Sequence, residues 1–458
     1  MPESSPLPPL RLAHAGADGA AKVDAATNRA ITLSTLARLV ASGAAVSKAD
    51  LVAAAGLARG TVSTGVDELL ARGVLQLDGT RPTPGRGRPA DRLALNPRGG
   101  FVLVADLGAR GAHLAVVDLS QRMHAHTHVT IDVADGPDAV LDTVESELAS
   151  LRASIRGGGP VRAAVIGVPG PVDGRRGIPV RPPIMPGWHG YPVTARLRRT
   201  FGCPVLLEND VNLRALGEAR ALPPDQSPLL FVKVGTGIGG GLITQAGALH
   251  HGADGAAGDI GHIRVRGAPE VRCVCGNVGC IEAVASAAAI ARRLGAVTAS
   301  GVGGSGIGVG GSGVGGSGVG GSGSGVGGTA AAGTAGSGTA GSGAATIDDV
   351  RALVSRGDPT AVGLVREAAG LIGEVVATLV HFYNPARVTI GGSVAAASDE
   401  LLAGIRAVVY QVALPLATRN LVLANSVLGE YAGVAGATVL GIEEALSSDG
   451  IGVLMARA

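Results

Sequence analysis

Three of the four cysteines in this 458-residue sequence are clustered, at Cys273, Cys275 and Cys280, and His262 lies shortly before them. Three thiolates and one imidazole suit a closed tetrahedral Zn²⁺ site. Clustered cysteines in a reducing compartment bind a metal more often than they form disulfides. We therefore predict a structural zinc ion held by these four side chains. The alternative is three reduced cysteines in a glycine-rich loop.

A second candidate centre is Glu208-Asn209-Asp210, which ends a predicted buried strand at 204–210 and begins a helix. Asp210 suits a helix N-cap, which is the commoner role for such a residue. A carboxylate at the carboxyl end of a strand can also accept the proton of a sugar hydroxyl that attacks phosphorus. Asn209 would then hold a neighbouring hydroxyl. Both roles of Asp210 stay open at this point.

Two further acids, Asp259 and Glu282, flank the cysteine cluster. Their carboxylates are candidates for contacts with sugar hydroxyls, although surface charge is the plainer explanation. His262 has two ring nitrogens, so it can bind a metal through one and a ligand through the other. These positions place the metal beside a ligand pocket.

Three glycine-rich turns follow apolar strands, at 106–111, 235–241 and 390–394. Glycines let backbone N–H groups approach an anion closely, as phosphate binding requires. One such turn is a weak signal, but three at strand ends indicate a two-lobed nucleotide cleft. The candidate nucleotide contacts are Asp106, Gly108, Gly235, Thr236, Gly237, Gly391 and Gly392.

Alternating strands and helices must position these residues, so we predict an α/β domain over 99–458. The predicted strands lie at 101–106, 113–119, 129–133, 161–173, 204–210, 387–394 and, as a hairpin, 229–243. The predicted helices lie at 137–155, 210–220, 280–294, 347–384, 397–410 and 432–446. Because only 2% of the residues are aromatic, the core must consist of Val, Leu, Ile and Ala.

Residues 27–98 differ from the rest of the chain in charge. They hold ten Lys or Arg against five Asp or Glu, a net +5, so the remainder of this +2 chain is −3. A small basic unit attached to a slightly acidic body suits a DNA-binding head.

Three helices and a strand pair are predicted within this basic unit. The first helix carries an apolar stripe of Ile31, Leu33, Leu36, Leu39 and Val40. Ser47 caps the second helix and Gly56 ends it, and the third helix spans about 58–71. Strands at 74–77 and 92–95 enclose a GRGRP turn and resemble a wing.

The third helix and the wing supply the predicted DNA contacts. These are Arg59, Thr61, Ser63, Thr64, Arg86 and Arg88. A helical protein-interaction module is the alternative for this head.

Two segments lack the periodicity of folded elements. Residues 1–26, rich in Pro, Ala and Gly, are predicted to be a disordered tail. Residues 299–345 contain repeated GVGGSG and are predicted to be a flexible insertion within the α/β domain. No run of about 18 apolar residues and no signal peptide is visible, so the sequence predicts a cytoplasmic protein without a membrane span.

Several motifs together resemble one family. ENDVN, GTGIGGG, GAAGDIGH, CVCGNVGC followed by IE, and NPARVTIGGS resemble the ROK family of repressors and sugar kinases over about 100–446. The resemblance implies an actin-like, ribonuclease-H-like two-lobed ATPase fold with zinc at the four residues named above. It implies a sugar site at Asn209, Asp210, Asp259, His262 and Glu282. In kinase members the residue matching Asp210 is the catalytic base, and the winged helix resembles the head of ROK repressors.

Two departures distinguish this sequence from the kinase members. Those carry D-x-G-G-T-K where this chain has DLGARG, so Arg110 and Gly111 replace a threonine and a lysine near the phosphates. Kinase members also usually have Glu at the position of Asp259, whose shorter side chain changes the reach into the sugar site. The predicted nucleotide site is therefore degenerate.

We predict a sugar-responsive transcriptional regulator that binds operator DNA, with repression as the expected direction and a homodimer or homotetramer as the assembly. Its effector would be a sugar or a sugar phosphate. The alternative is a hexose kinase that uses ATP and magnesium, with Asp210 as the general base.

Overall fold

The computed structural model describes residues 7–13, 25–81, 90–157, 159–301 and 345–456. They form a small helical head and two α/β lobes. Among these residues, none of the helices combines the length and the apolar character that crossing a membrane requires.

The head contains the predicted helices and strand pair. It consists of α1 (Ala25–Ala41), α2 (Lys48–Ala55), α3 (Arg59–Ala71) and the antiparallel strands β1 (Leu75–Arg81) and β2 (Ala90–Leu95). Ser47 caps α2, and Gly56 ends it at φ 64°. The predicted stripe of α1 is wrong at Ile31, which is 43% exposed. This residue lies two positions before the buried Leu33 and so on the opposite side of the helix.

The first lobe is built on a mixed sheet with the strand order β5-β4-β3-β6-β9. Its strands are β3 (Phe101–Leu107), β4 (Ala112–Asp118), β5 (Met123–Val129), β6 (Val161–Val168) and β9 (Val205–Asn209). The short strands β7 (Val172–Asp173) and β8 (Ile178–Pro179) pair separately, and the helices are α4 (Pro137–Ser154) and α5 (Val193–Phe201).

The third strand of this sheet is not at the predicted 129–133. It is β5, an edge strand that alternates between exposed and half-buried residues. Its sequence MHAHTHV carries few apolar residues, and the segment that follows it has the more apolar pattern typical of a strand. Val133 lies instead in a short 3-10 turn.

The second lobe contains a mixed sheet with the strand order β11-β10-β12-β13. Its strands are β10 (Leu229–Val234), β11 (Ile238–Ile243), β12 (Arg387–Gly391) and β13 (Val422–Asn425). Its helices are α7 (Ile281–Ala285), α8 (Ala287–Gly301), α9 (Ile347–Ser355), α10 (Pro359–Tyr383), α11 (Glu400–Val412) and α12 (Pro415–Thr418).

Two crossing helices join the lobes: α6 (Asp210–Ala221) and α13 (Ala432–Ala445), the latter followed by α14 (Ser448–Ala456). The crossing is close because glycines lie on both sides of it. A Cβ atom on Gly436 would lie 1.8 Å from the Leu213 carbonyl oxygen, and one on Gly217 would lie 2.2 Å from the Ala432 carbonyl oxygen. The two helices therefore cross backbone to backbone between the sheets.

The prediction of a disordered tail over 1–26 is wrong for residues 7–13. Leu7, Leu10 and Leu12 are buried in the core that contains α1, α6 and α13. The Arg11 N–H donates to the Arg220 carbonyl oxygen at 3.1 Å. Composition indicated disorder, but these leucines find apolar partners on the folded body.

The predicted insertion at 299–345 is largely outside the described residues, which leave out 302–344. Its first residues, 299–301, are the last residues of α8. Arg86 and Arg88 of the predicted wing lie within 82–89 and are also outside the described residues.

Candidate functional site

A cavity of about 870 Å³ lies between the two lobes. This volume is within the range of small-molecule sites. The residues predicted for the sugar and nucleotide sites all line it: Asp106, Gly108, Asn209, Asp210, Gly235, Thr236, Gly237, Asp259, His262, Glu282, Gly391 and Gly392. The fold thus brings the separate motifs to one place, although what they bind stays a prediction.

Asp210 is the first residue of α6 and does not cap it. Asn209 is the N-cap, because its Oδ1 accepts hydrogen bonds from the N–H groups of Val211 at 2.9 Å and Asn212 at 3.2 Å. The N-cap interpretation of Asp210 is therefore wrong. Its carboxylate is 2% exposed and pairs with the Lys233 ammonium in the cavity.

Glu208 connects the start of α6 to the loop that leads to Asp259. Its Oε1 accepts a hydrogen bond from Asn212 Nδ2 at 2.9 Å, and its Oε2 lies 2.7 Å from His251 Nε2. The hydrogen bond that His251 donates to Glu208 raises the pKa of His251. The His251 carbonyl oxygen in turn accepts from the Ala257 N–H at 3.1 Å. The pair therefore fixes the loop beside the cavity.

Glu282, the second residue of α7, lies against the glycine turn between β10 and β11. Its Oε2 accepts a hydrogen bond of 3.1 Å from the Ile238 N–H. A Cβ atom on Gly237 would lie 2.3 Å from the same oxygen, so a larger residue there would displace the Glu282 carboxylate. Burial raises the pKa of Glu282.

His262 joins the cavity to the cysteine cluster. Its Nε2 is 4.0 Å from Asp259 Oδ1, and its Nδ1 is 3.6 Å from Cys273 Sγ. The ligand atoms of His262 and the three cysteines all lie within 4.8 Å of one another. The cluster is therefore compact enough to hold one metal ion between its side chains.

The sulfur spacing fits a tetrahedral ion. Cys275 Sγ and Cys280 Sγ are 3.7 Å apart. Two thiolates at about 2.3 Å from one tetrahedral Zn²⁺ ion would be about 3.8 Å apart. Burial raises the pKa of the Cys280 thiol to about 12, so a thiolate there requires a cation beside it.

Asp106 is the second-last residue of β3, just before the first glycine turn, and lies at the other end of the cavity. Its side chain is fully buried, and its Oδ2 accepts a hydrogen bond of 2.7 Å from Arg214 Nη2 of α6. Burial raises the pKa of Asp106, and Arg214 opposes that shift. The carboxylate expected near the phosphates is thus already paired.

The family is decided by the match of a ROK family model to residues 102–444. The chain belongs to the ROK family. A xylose repressor of Caldicellulosiruptor bescii is 25% identical over 396 residues, which cover 85% of this chain and 90% of that protein. A glucokinase of Halalkalibacterium halodurans is 30% identical over 251 residues, which cover 55% of this chain and 67% of that protein.

Solved structures confirm the predicted fold of this ROK chain. A ROK family transcriptional regulator, described as a homologue of the MLC protein of E. coli, superimposes with a TM-score of 0.70 at 23% identity. The superposition covers 94% of this chain and 100% of the regulator. A ROK glucokinase from Streptomyces griseus, solved with glucose and AMPPNP, superimposes with a TM-score of 0.55 at 25% identity. The superposition covers 74% of this chain and 99% of the glucokinase.

Two basic residues of the ROK cleft were missing from the predicted site. Lys233 was detectable, because it is the only charged residue in the apolar strand β10. Arg214 was detectable only from helix periodicity, since it follows Asp210 by four positions and lies on the same face of α6. Its partner Asp106 is 108 positions away in the sequence.

The predicted DNA contacts of the head that the structure describes lie along α3. Arg59, Thr61 and Thr64 are exposed. Ser63 is half-buried and lies between Lys48 Nζ, which donates to its Oγ at 3.2 Å, and Asp67. Their contact with DNA stays a prediction.

Proposed function

We propose that this ROK chain is a sugar-responsive, DNA-binding transcriptional repressor of the cytoplasm. The observation that carries the proposal is the extent of its similarity. The match to the xylose repressor spans 85% of this chain, whereas the match to the glucokinase spans 55%. The head and the lobes together therefore resemble a repressor more fully than an enzyme.

The geometry of the head supports DNA binding. Residues 56–58 join α2 to α3, and a turn of this length with a glycine is typical of helix-turn-helix units. α3 buries Val62, Val66 and Leu69 and leaves Arg59 exposed at its first turn. α3 would enter the major groove as the recognition helix, with β1 and β2 as the wing beside it.

The contacts between the head and the body provide a route from sugar to DNA. Gly433 of α13 lies against Asp106 in the cavity. At the other end of the same helix, the Leu446 carbonyl oxygen accepts a hydrogen bond of 2.6 Å from Ser34 Oγ of α1. A sugar that favours one arrangement of the lobes would move α13 and thereby the head. In a homodimer or homotetramer this would change the spacing of two heads.

Fluorescence anisotropy with the DNA upstream of the protein's own coding region tests the proposal. We expect binding that weakens steeply as salt rises, and loss of affinity when a sugar from a panel of hexoses, hexosamines and pentoses is added. Arg59→Ala should weaken binding by about tenfold. Arg419→Ala, an exposed arginine of the second lobe, is the matched control. Binding that is absent, or insensitive to salt, would contradict the proposal.

A hexose kinase is the second candidate, because Asp210 and two glycine turns line one cavity. Release of ADP from Mg-ATP in the presence of the same sugar panel tests it. Sugar-dependent turnover that is lost in Asp210→Asn would favour the kinase. Equal turnover in both proteins would exclude Asp210 as the base. No turnover in folded, zinc-loaded protein would leave the regulator as the sole candidate of the two.

A further inference from the structure

Each buried carboxylate of the cavity is held by a basic side chain of its own. Asp106 Oδ2 accepts a hydrogen bond from Arg214 Nη2, and Asp210 Oδ2 pairs with Lys233 Nζ. The Asp106 side chain is fully buried and that of Asp210 is 2% exposed. The protein thus neutralises both carboxylates from within.

The backbone of α13 encloses Asp106 on a further side. A Cβ atom on Gly433 would lie 2.0 Å from Asp106 Oδ2, so only glycine allows this helix to pass the carboxylate. Among the residues that the structure describes, Asp106 Oδ1 and Arg214 Nε are buried without hydrogen-bond partners. Neither oxygen of Asp106 is therefore open to solvent.

This arrangement does not fit a magnesium-bound nucleotide. Mg²⁺ requires octahedral oxygen ligands and keeps several of its waters, so it needs an accessible carboxylate. Asp106 offers none, and the guanidinium of Arg214 beside it carries a positive charge. A divalent cation placed there would be repelled at short range in a poorly hydrated site.

The retained glycine turns do not by themselves require a nucleotide. A Cβ atom on Gly392, which has φ 100°, would lie 2.3 Å from the Val234 carbonyl oxygen. Gly237 leaves room for the Glu282 carboxylate, whose Oε2 would lie 2.3 Å from a Cβ atom there. Both glycines are thus explained by the packing of the second lobe, whether or not phosphate lies beside them.

We propose that Arg214 is a specificity-determining residue that takes the place of a metal ion at Asp106. Its guanidinium neutralises the carboxylate through Oδ2, so the cavity accepts a ligand without a magnesium-bound nucleotide. Lys233 gives Asp210 a fixed partner in the same way. The inference concerns the cavity alone and does not depend on DNA binding by the head.

Isothermal titration of the full chain with the ATP analogue AMPPNP tests the proposal, in Mg²⁺ and in EDTA. The wild type should have the same weak affinity for AMPPNP in Mg²⁺ and in EDTA. Arg214→Met removes the charge at similar length, and Arg214→Ser leaves room for water at Asp106. In these variants Mg²⁺ should raise the affinity for AMPPNP by about tenfold or more, the usual size of effects around a metal site.

Asp106→Asn combined with Arg214→Met is the matched control, because it lacks both charges and should show no magnesium effect. Circular dichroism and sugar affinity, measured on the same samples, report whether each variant is folded. A tenfold magnesium effect in the wild type would overturn the proposal. So would its absence from a folded Arg214→Ser protein. Neither result depends on whether the chain regulates transcription.

Discussion

The carboxylates at the two ends of the inter-lobe cavity differ in their exposure and in their pairing with basic side chains. Near the cysteine cluster the Asp259 side chain is 47% exposed, and its Oδ1 lies 4.0 Å from His262 Nε2. At the opposite end the Asp106 side chain is fully buried against Arg214. One end leaves an acid available to a ligand, and the other end buries its acid in an ion pair.

This difference suggests how a protein with the fold of the ROK kinases can bind a sugar without transferring a phosphoryl group to it. Catalysis requires groups that respond to charge developing in the transition state. A carboxylate that is buried and already paired with a basic side chain before any ligand arrives has less to offer such a charge. Binding of a neutral sugar requires only hydrogen-bonding groups at the open end.

The largest effect is expected at the cysteine cluster. Cys280→Ser should remove the proposed zinc ion and lower the free energy of unfolding by several kcal/mol, because structural zinc stabilises the loop it closes. Sugar affinity should fall with it, since His262 belongs to both the predicted sugar site and the predicted metal site. Metal analysis and thermal unfolding measure these changes. Cys203→Ala, in the first lobe, is the matched control and should keep the metal. Equal metal content in both variants would refute the zinc assignment.

The cluster and the glycine turns could be predicted from sequence because their chemistry depends on close spacing. The pairing of Asp106 with Arg214 could not, since it depends on how α6 crosses the end of β3. The error at Asp210 has another origin. Strand β9 ends at Asn209, one residue earlier than predicted, and this changes which side chain caps α6.

The errors outside the cavity also have physical causes. β5 is an edge strand rich in histidine, so its pattern lacks the apolar run that marks a buried strand. Residues 7–13 have the composition of a tail, and only the folded body provides the apolar surface for their leucines. Tertiary context decided both cases.

A smaller effect is expected from Asp259→Asn at the open end. Loss of a charged acceptor should weaken sugar binding by about 1.5–3 kcal/mol, or roughly ten- to a hundredfold. Titration calorimetry with the sugar that releases DNA measures it. Asp254→Asn, an exposed acid of the same loop, should bind the sugar like the wild type. Equal losses in both variants would indicate a general effect of charge rather than a contact.

The N-terminal segment should contribute less. Leu10 is 5% exposed, and its N–H donates to Gln121 Oε1 at 2.7 Å. Leu10→Ala should lower the free energy of unfolding by about 1–2 kcal/mol, below the usual cost in a core because a terminal segment can detach. Chemical denaturation measures the change. Pro9→Ala, at an exposed neighbouring position, should have little effect, and an unchanged Leu10→Ala protein would show that the segment is not stabilising.

The smallest effect is expected from the pair of Glu208 and His251, and it depends on pH. Its hydrogen bond raises the pKa of His251, so the folded state favours the protonated ring. The stabilisation is therefore complete below about pH 6.5 and is lost as the pH rises through the higher pKa of the folded state. Because the His251 side chain is 46% exposed, the contribution should be less than about 1 kcal/mol. Chemical denaturation should show that the free energy of unfolding falls between about pH 6 and pH 8 in the wild type and, by the same amount, in His250→Gln. The His251→Gln protein should lack the part of this fall that the pair causes. A fall identical to that of the wild type would assign the pH dependence to other groups.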